Sequence, residues 1–374
     1  MLNVLIAPDS FKGTLSAREV CDIIGEAFEN TIQDVKITKL PVADGGEGLC
    51  SCLYEITGGS FIGAEVTGVF GEKMTASYLM LDDGTAVIET ASCAGLPLAG
   101  ENKNPAAALT VGVGELIKHA RENGAKRILL GLGGSATNDC GTGMAYALGW
   151  RFLDRDGREI LPSGGRLLDI ERIIPPAEKF DLPVTAACDV DNPLYGETGA
   201  AFVYAPQKGA DEETVKFLDS GLRHIADVIL RETGRDVSDM PGAGAAGGMG
   251  AGVTVFLSGR LSRGIDIVLD LLGFNEKAAC ADVVITGEGR LDSQSMSGKV
   301  VSGVLERSRG KARLILAVCG CAGEGAGQAE ECGIDRAFFS CETPKPFEQV
   351  LATCREDLYE AGVRAARYVL GRLC

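Results

Sequence analysis

Histidine is nearly absent from this chain: two among 374 residues, His119 and His224, both on stretches with helical apolar spacing. Such positions suit structural side chains, so neither a Ser/His/Asp triad nor a histidine metal site can be argued. No apolar run reaches the roughly 18 residues of a membrane span. The opening residues, MLNVLIAPDS, lead into a short apolar strand without a basic leader. A cytoplasmic protein without a membrane partner is therefore expected. Positive charge is in deficit, 36 Lys and Arg against 52 Asp and Glu, for a net charge of −16. A surface of that sign repels nucleic acid and anionic lipid, so an anionic substrate needs local cations. No GxxxxGK[ST] phosphate loop occurs, and no cofactor motif for oxidation chemistry is convincing. Thirteen cysteines, an odd number, are scattered through apolar contexts without paired zinc-site spacing. They imply no disulfide framework, and most are expected to be small buried hydrophobes.

Glycine is abundant, at 51 residues, with neither the period of collagen nor the monotony of a linker. Four glycine-dense segments carry or adjoin acidic, amide or hydroxyl side chains. They are Asp44-Gly45-Gly46-Glu47-Gly48, Gly131 to Asp139 (GLGGSATND), Gly242 to Gly252 (GAGAAGGMGAG) and Gly287-Glu288-Gly289. Bare backbone lets N–H groups converge on an anion, while nearby carboxylates can hold a hard cation or take a proton. The combination points to an enzyme that handles phosphate.

At this length the chain fits two domains, because single cores stop growing at roughly 250–300 residues. Both ends read as β/α units. Strands are expected at Val4 to Ala7, Val35 to Leu40, Asp282 to Thr286 and Leu314 to Val318, with helices at Ser16 to Phe28, Glu47 to Ile56 and Phe347 to Leu373. Between them, Ser60 to Thr90 alternates apolar and polar residues across turn signals, which predicts antiparallel strands. Helices at Asn104 to Asn123 and Asp139 to Leu148 flank a strand at Arg127 to Leu130. A Gly-Ala-containing strand is expected between Leu194 and Pro206, and a helix at Glu212 to Thr233. The predicted fold is an open parallel α/β domain, flavodoxin- or Rossmann-like, built from residues 1–60 and 281–374. A mixed α/β domain, 61–280, is inserted in it, and the cleft between the two is the expected ligand site.

In an open α/β sheet ligands bind beyond the carboxyl ends of the strands. Asp9, Ser10 and Lys12 follow the first strand there, and Ser16 is placed to cap the next helix. Asp44 and Glu47 follow the second strand, where they suit either a capping box or a metal or base role. The loop Gly131 to Asp139 can aim N–H groups and a helix dipole at a phosphate. Asp189 follows an apolar strand and is the preferred base or metal carboxylate of the inserted domain. Lys208 suits a phosphate, a carboxylate or plain solvent. The segment 242–252, which includes Gly247, has almost no side chains, so it serves close approach of another strand or of a ligand such as a nucleotide. Glu288, Arg290, Asp292, Gln294 and Lys299 crowd one strand end with more charge than a turn requires.

These stretches, in order, resemble the type I glycerate kinase family: APDSFKG at 7–13, ADGGEG at 43–48, GLGGSATND at 131–139, CDVDNPL at 188–194, PQKGA at 206–210, GAGAAGG at 242–248 and GEGRLDSQSMSGK at 287–299. Cys140 departs from the resemblance, standing where a glycine is more common, which bears on the helix start. The resemblance implies ATP-dependent phosphorylation of D-glycerate, with ATP and Mg2+ as cofactors. Phosphoryl transfer needs an aligned hydroxyl, a metal on the phosphates and donors that neutralise charge. Asp44 or Asp189 is assigned to the glycerate hydroxyl, and Asp292 and Glu288 to magnesium. Lys12, Arg290 and Lys299, with Asp9 and Ser10, are assigned to the substrate. Gly133, Gly134, Ser135, Asn138, Lys208 and Gly247 are assigned to the nucleotide. A kinase for a related hydroxy acid and a non-catalytic sensor of small acids are the alternatives. Homo-oligomerisation and the choice between the 2- and 3-hydroxyl are not legible.

Overall fold

A computed structural model describes residues 1–43, 48–296, 298–343 and 345–373. Asp44, its expected partner Glu47 and Ser297 therefore lie outside the described residues. The chain divides into two compact units, Met1–Gly45 with Ile265–Cys374, and Gly46–Gly264.

The chain begins the first unit with β1 (Leu2–Ile6) and β2 (Val35–Lys39), joined by the helix Ala17–Thr31. Ser16 caps that helix as expected, and Glu19 completes a capping box with it. Its apolar stripe, with Val20, Ile24 and Phe28 on it, is buried.

The second unit carries β3 (Ser60–Thr67), β4 (Lys73–Met80), β5 (Thr85–Glu89), β6 (Arg127–Gly131), β7 (Arg151–Leu153), β8 (Glu159–Ile160), β9 (Arg172–Ile174), β10 (Val184–Ala187) and β11 (Arg260–Ser262). Its main sheet has the order β11-β10-β6-β5-β4-β3. The pairs β3–β4 and β4–β5 are antiparallel, and those from β5 to β11 are parallel. A small antiparallel sheet, β8-β7-β9, accompanies it. The antiparallel reading of 60–90 thus holds, with β5 as the strand where the sheet turns parallel.

Back in the first unit, the chain adds β12 (Val283–Thr286), β13 (Arg290–Leu291), β14 (Leu314–Ala322) and β15 (Arg336–Cys341). With β1 and β2 they make a six-stranded, wholly parallel sheet in which β1 lies between β2 and β12, and β12 between β1 and β14. Both β13 and β15 pair with β14, in register at Cys321. Val4, Ile6, Val283, Ile285, Leu316 and Val318 share a core with Ala17–Thr31 and the closing helix Phe347–Leu373. Ile315, Ala317 and Cys319 alternate to another core with Val301 and Leu305.

Three local expectations are corrected. The stretch expected as a Gly-Ala strand is the helix Ala200–Tyr204, consistent with the high helix propensity of its alanines. The helix expected from Asn104 begins at Val111, because Pro105 follows Asn104 and the Asn104 Oδ1 accepts from the N–H groups of Ala106 and Ala107, forming a turn. The helix expected from Asp139 begins at Thr142, after Cys140 at φ 57° and Gly141 at φ 66°. A left-handed residue ends any continuous helix there, and it makes Cys140 a side chain in a conformation that favours glycine. Of the twelve described cysteines only five are buried, namely Cys21, Cys50, Cys93, Cys140 and Cys319, so the expectation that most are buried is corrected as well. Burial pushes the Cys21 thiol up to about 12, as for a small inert hydrophobe.

Candidate active site

In the first unit the carboxyl edge of the parallel sheet gathers two loops. After β1, the Asp9 N–H donates to the Gly287 carbonyl at 2.8 Å, and the Asp9 Oδ1 accepts from the Ser10 N–H at 2.7 Å. After β12, Gly289 lies against Phe11 and Lys12, where a β-carbon would come within 3.3 Å of the Phe11 Cα. Glu288 interacts electrostatically with Asp9, Asp292 and Lys299. Burial raises its proton affinity above the usual carboxylate range, with its Ser295 hydrogen bond and Lys299 opposing the rise. Its Oε1 has no hydrogen-bond partner among the described residues. Arg290 reaches Asp292 at 3.9 Å, and Asp292 Oδ1 accepts from the Ser295 N–H at 3.3 Å. The fold therefore brings together Asp9, Ser10, Lys12, Glu288, Arg290, Asp292 and Lys299. Lys12 and Arg290 are exposed.

In the second unit the carboxyl ends of β6 and β10 are neighbours. The loop after β6 exposes Gly133 and Gly134 and buries everything from Ser135 to Thr142. Lys208, from the single turn Pro206–Lys208, reaches beneath that loop. Its Nζ donates to the Ser135 Oγ at 3.0 Å and to the Thr137 carbonyl at 2.8 Å, and 3% of the residue is exposed. Burial pulls Lys208 down to about 7, with Asp139 opposing. Both polar atoms of the Asn138 side chain are buried without a partner among the described residues. Gly247 also lies under the loop, where a β-carbon would meet the Thr137 carbonyl oxygen at 2.0 Å. The close approach expected of 242–252 is thus made, in part, by the loop's own backbone. Asp189, after β10, is exposed, and its Oδ1 accepts from the Gly264 N–H at 2.8 Å.

Two acids enter that were not singled out from sequence. Asp139 is buried, and its carboxylate accepts from the Thr110 Oγ1 at 2.7 Å and from the Gly141 N–H at 3.0 Å, tying two helix starts to the loop. Desolvation raises its proton affinity, and these hydrogen bonds oppose that. Glu89, at the end of β5, accepts from the Gly48 N–H at 2.9 Å and the Leu49 N–H at 3.2 Å. An acid ending an apolar strand was the available signal for Glu89. For Asp139, burial is invisible in the sequence.

Two carboxyl-edge clusters, one rich in acids and cations and one built on a glycine loop over a buried ammonium, define an α/β protein suited to phosphate chemistry. Residues 4–370 match the Glycerate kinase family, and the chain belongs to it. It is 44% identical to a glycerate kinase of Bacillus cereus, over 96% of this chain and 95% of that one. It is 43% identical to a glycerate 2-kinase of Escherichia coli K12, over 90% of each. A crystal structure from Salmonella typhimurium LT2, of a protein assigned as glycerate kinase 2, superimposes with a TM-score of 0.85 at 37% identity, covering 99% and 98% of the two chains.

Proposed function

We infer that this chain phosphorylates D-glycerate with ATP. The observation that carries the reading is the family match through residues 4–370. The two edge clusters support it by supplying what phosphoryl transfer consumes: oriented acids, cations and a backbone cradle. In the reaction the glycerate hydroxyl oxygen forms a bond to the γ-phosphorus, the bond from that phosphorus to the ADP oxygen breaks, and the hydroxyl proton leaves to a base. Asp189 or Asp44 takes that proton. Lys12, Arg290 and Lys299 hold the substrate carboxylate and the moving phosphoryl group, with Asp9 and Ser10 beside them. Gly133, Gly134, Ser135 and Asn138 lie along the nucleotide phosphates.

The residues present fit a divalent cation, because the orphaned Glu288 Oε1 faces the field of two further carboxylates. Glu288 and Asp292 would hold it. Bound there, magnesium supplies charge neutralisation on the phosphate oxygens. Among the described residues no group of three or more His, Cys, Asp or Glu is placed to hold a metal ion by itself.

The 2-hydroxyl is the acceptor in this reading, following the name of the Escherichia coli relative. Coupled ADP release tests the activity, and phosphorus NMR of the product tests the position. Release that requires glycerate and yields the 2-phosphate is expected. Release with another hydroxy acid but not with glycerate overturns the substrate, and no release with any acid favours a sensor.

A further inference from the structure

The loop Gly131 to Asp139 stands on a single buried cation. An ammonium has three donors and no acceptor. Two of the Lys208 donors go to neutral groups, the Ser135 hydroxyl and the Thr137 carbonyl, and no carboxylate lies within ion-pair distance of Nζ among the described residues. Burying a charge without a contacting counter-charge is costly. Burial has already lowered the proton affinity of Lys208, with Asp139 the sole opposing charge. A second, independent sign is Asn138, wholly buried beside Thr137 with both amide atoms unpartnered among the described residues. Orphaned buried amides are rare in proteins and mark places completed by a ligand or water. Above them the loop tip, Gly133-Gly134, is exposed, with Gly134 in the left-handed region at φ 71°.

The Ser135 hydroxyl is the hinge of the argument. It has one proton to give and lone pairs to receive. While Lys208 is protonated and donates to the oxygen, the Ser135 proton points away from the ammonium, and it meets no acceptor among the described residues. A hydroxyl polarised by a cation on its oxygen is also a stronger donor. We propose that Lys208 is a positioning residue: from beneath the loop it fixes Ser135 so that the hydroxyl proton is presented to a nucleotide phosphate resting on Gly133 and Gly134. Lys208 itself does not touch the phosphate. This rests on the reading of the loop as the phosphate site and assigns the division of labour within it.

The test is a double-mutant cycle on the full chain, with KM for ATP and for glycerate measured for Ser135→Ala, Lys208→Met and the pair. Each single change should raise KM for ATP by roughly tenfold, the scale of one charge-assisted hydrogen bond. KM for glycerate should move less than about twofold, and the double variant should be no worse than Lys208→Met, because the two residues act as one unit. Effects that multiply in the double variant would overturn the proposal. So would a Ser135→Ala enzyme with the wild-type KM for ATP, and that variant decides the matter by itself if Lys208→Met does not fold. Gly133→Val separates the layers: if it raises KM for ATP while Ser135→Ala is silent, the positioning role fails and the nucleotide site stands. If none of the variants changes KM for ATP, both fail.

Discussion

Glu288 combines a buried carboxylate oxygen, without a partner among the described residues, with a proton affinity raised by desolvation. A carboxyl group whose folded-state pKa lies above its unfolded value binds more protons when folded. Its contribution is therefore favourable in acid and is lost as pH rises from about 4.5, the unfolded value, through the folded value. Glu288→Gln should flatten that loss, giving a higher Tm than wild type at pH 7 and a vanishing difference in acid. It should also raise the magnesium concentration for half activation by more than about tenfold. Thermal melts across pH and a magnesium titration of activity check both halves, and an unchanged magnesium requirement would remove Glu288 as a ligand. Asp189 offers a cleaner test of charge, since an asparagine Oδ1 can still accept from the Gly264 N–H. Asp189→Asn should then lower kcat by about 10²–10⁴ if the carboxylate is the base. Lys12→Ala should raise KM for glycerate by roughly 10–100-fold if its ammonium grips the carboxylate.

Caps and periodicity made several elements readable from sequence. The helix Glu212–Thr233 was bounded correctly at both ends, with Asp211 accepting from the Thr214 N–H and Gly234 closing it in the left-handed region. The cap at Ser16 is equally legible, and Ser16→Ala should cost about 1 kcal/mol, measured by denaturant unfolding. The helix Ala200–Tyr204 was misread because its five residues, AAFVY, are too short to show a period. The segment 242–252 was seen to need close approach, but its sequence could not say by what. The structure answers with the carbonyl of Thr137 against Gly247 and that of Cys140 against Gly252. Gly247→Ala should therefore cost roughly 3 kcal/mol, from overpacking and from its φ of 69° together. A melt within a degree of wild type would contradict this.

For the whole molecule, strand ends were the readable part of the site. Glu288, Arg290 and Asp292 stood out because charge crowded behind an apolar run. Glu89 carried the weaker signal of one acid ending an apolar strand, and the burial of Asp139 left no mark in the sequence. The chain crossings are also testable. The helix Leu49–Thr57 packs on β5, and Phe274–Ala279 packs on Val300–Ser308, so each belongs with its own unit. A fragment spanning 46–264 should thus melt cooperatively, and at a higher temperature than one spanning 61–280; calorimetry of the two fragments decides between these boundaries. The contact of the 242–252 segment with the phosphate-type loop has a further evolutionary consequence. At Gly247 and Gly252 the nearest atoms facing a would-be β-carbon are main chain, which cannot shrink to accommodate a larger residue. Second-site revertants of Gly247 or Gly252 variants should not arise at facing positions, and descendants of this sequence inherit that seam unedited.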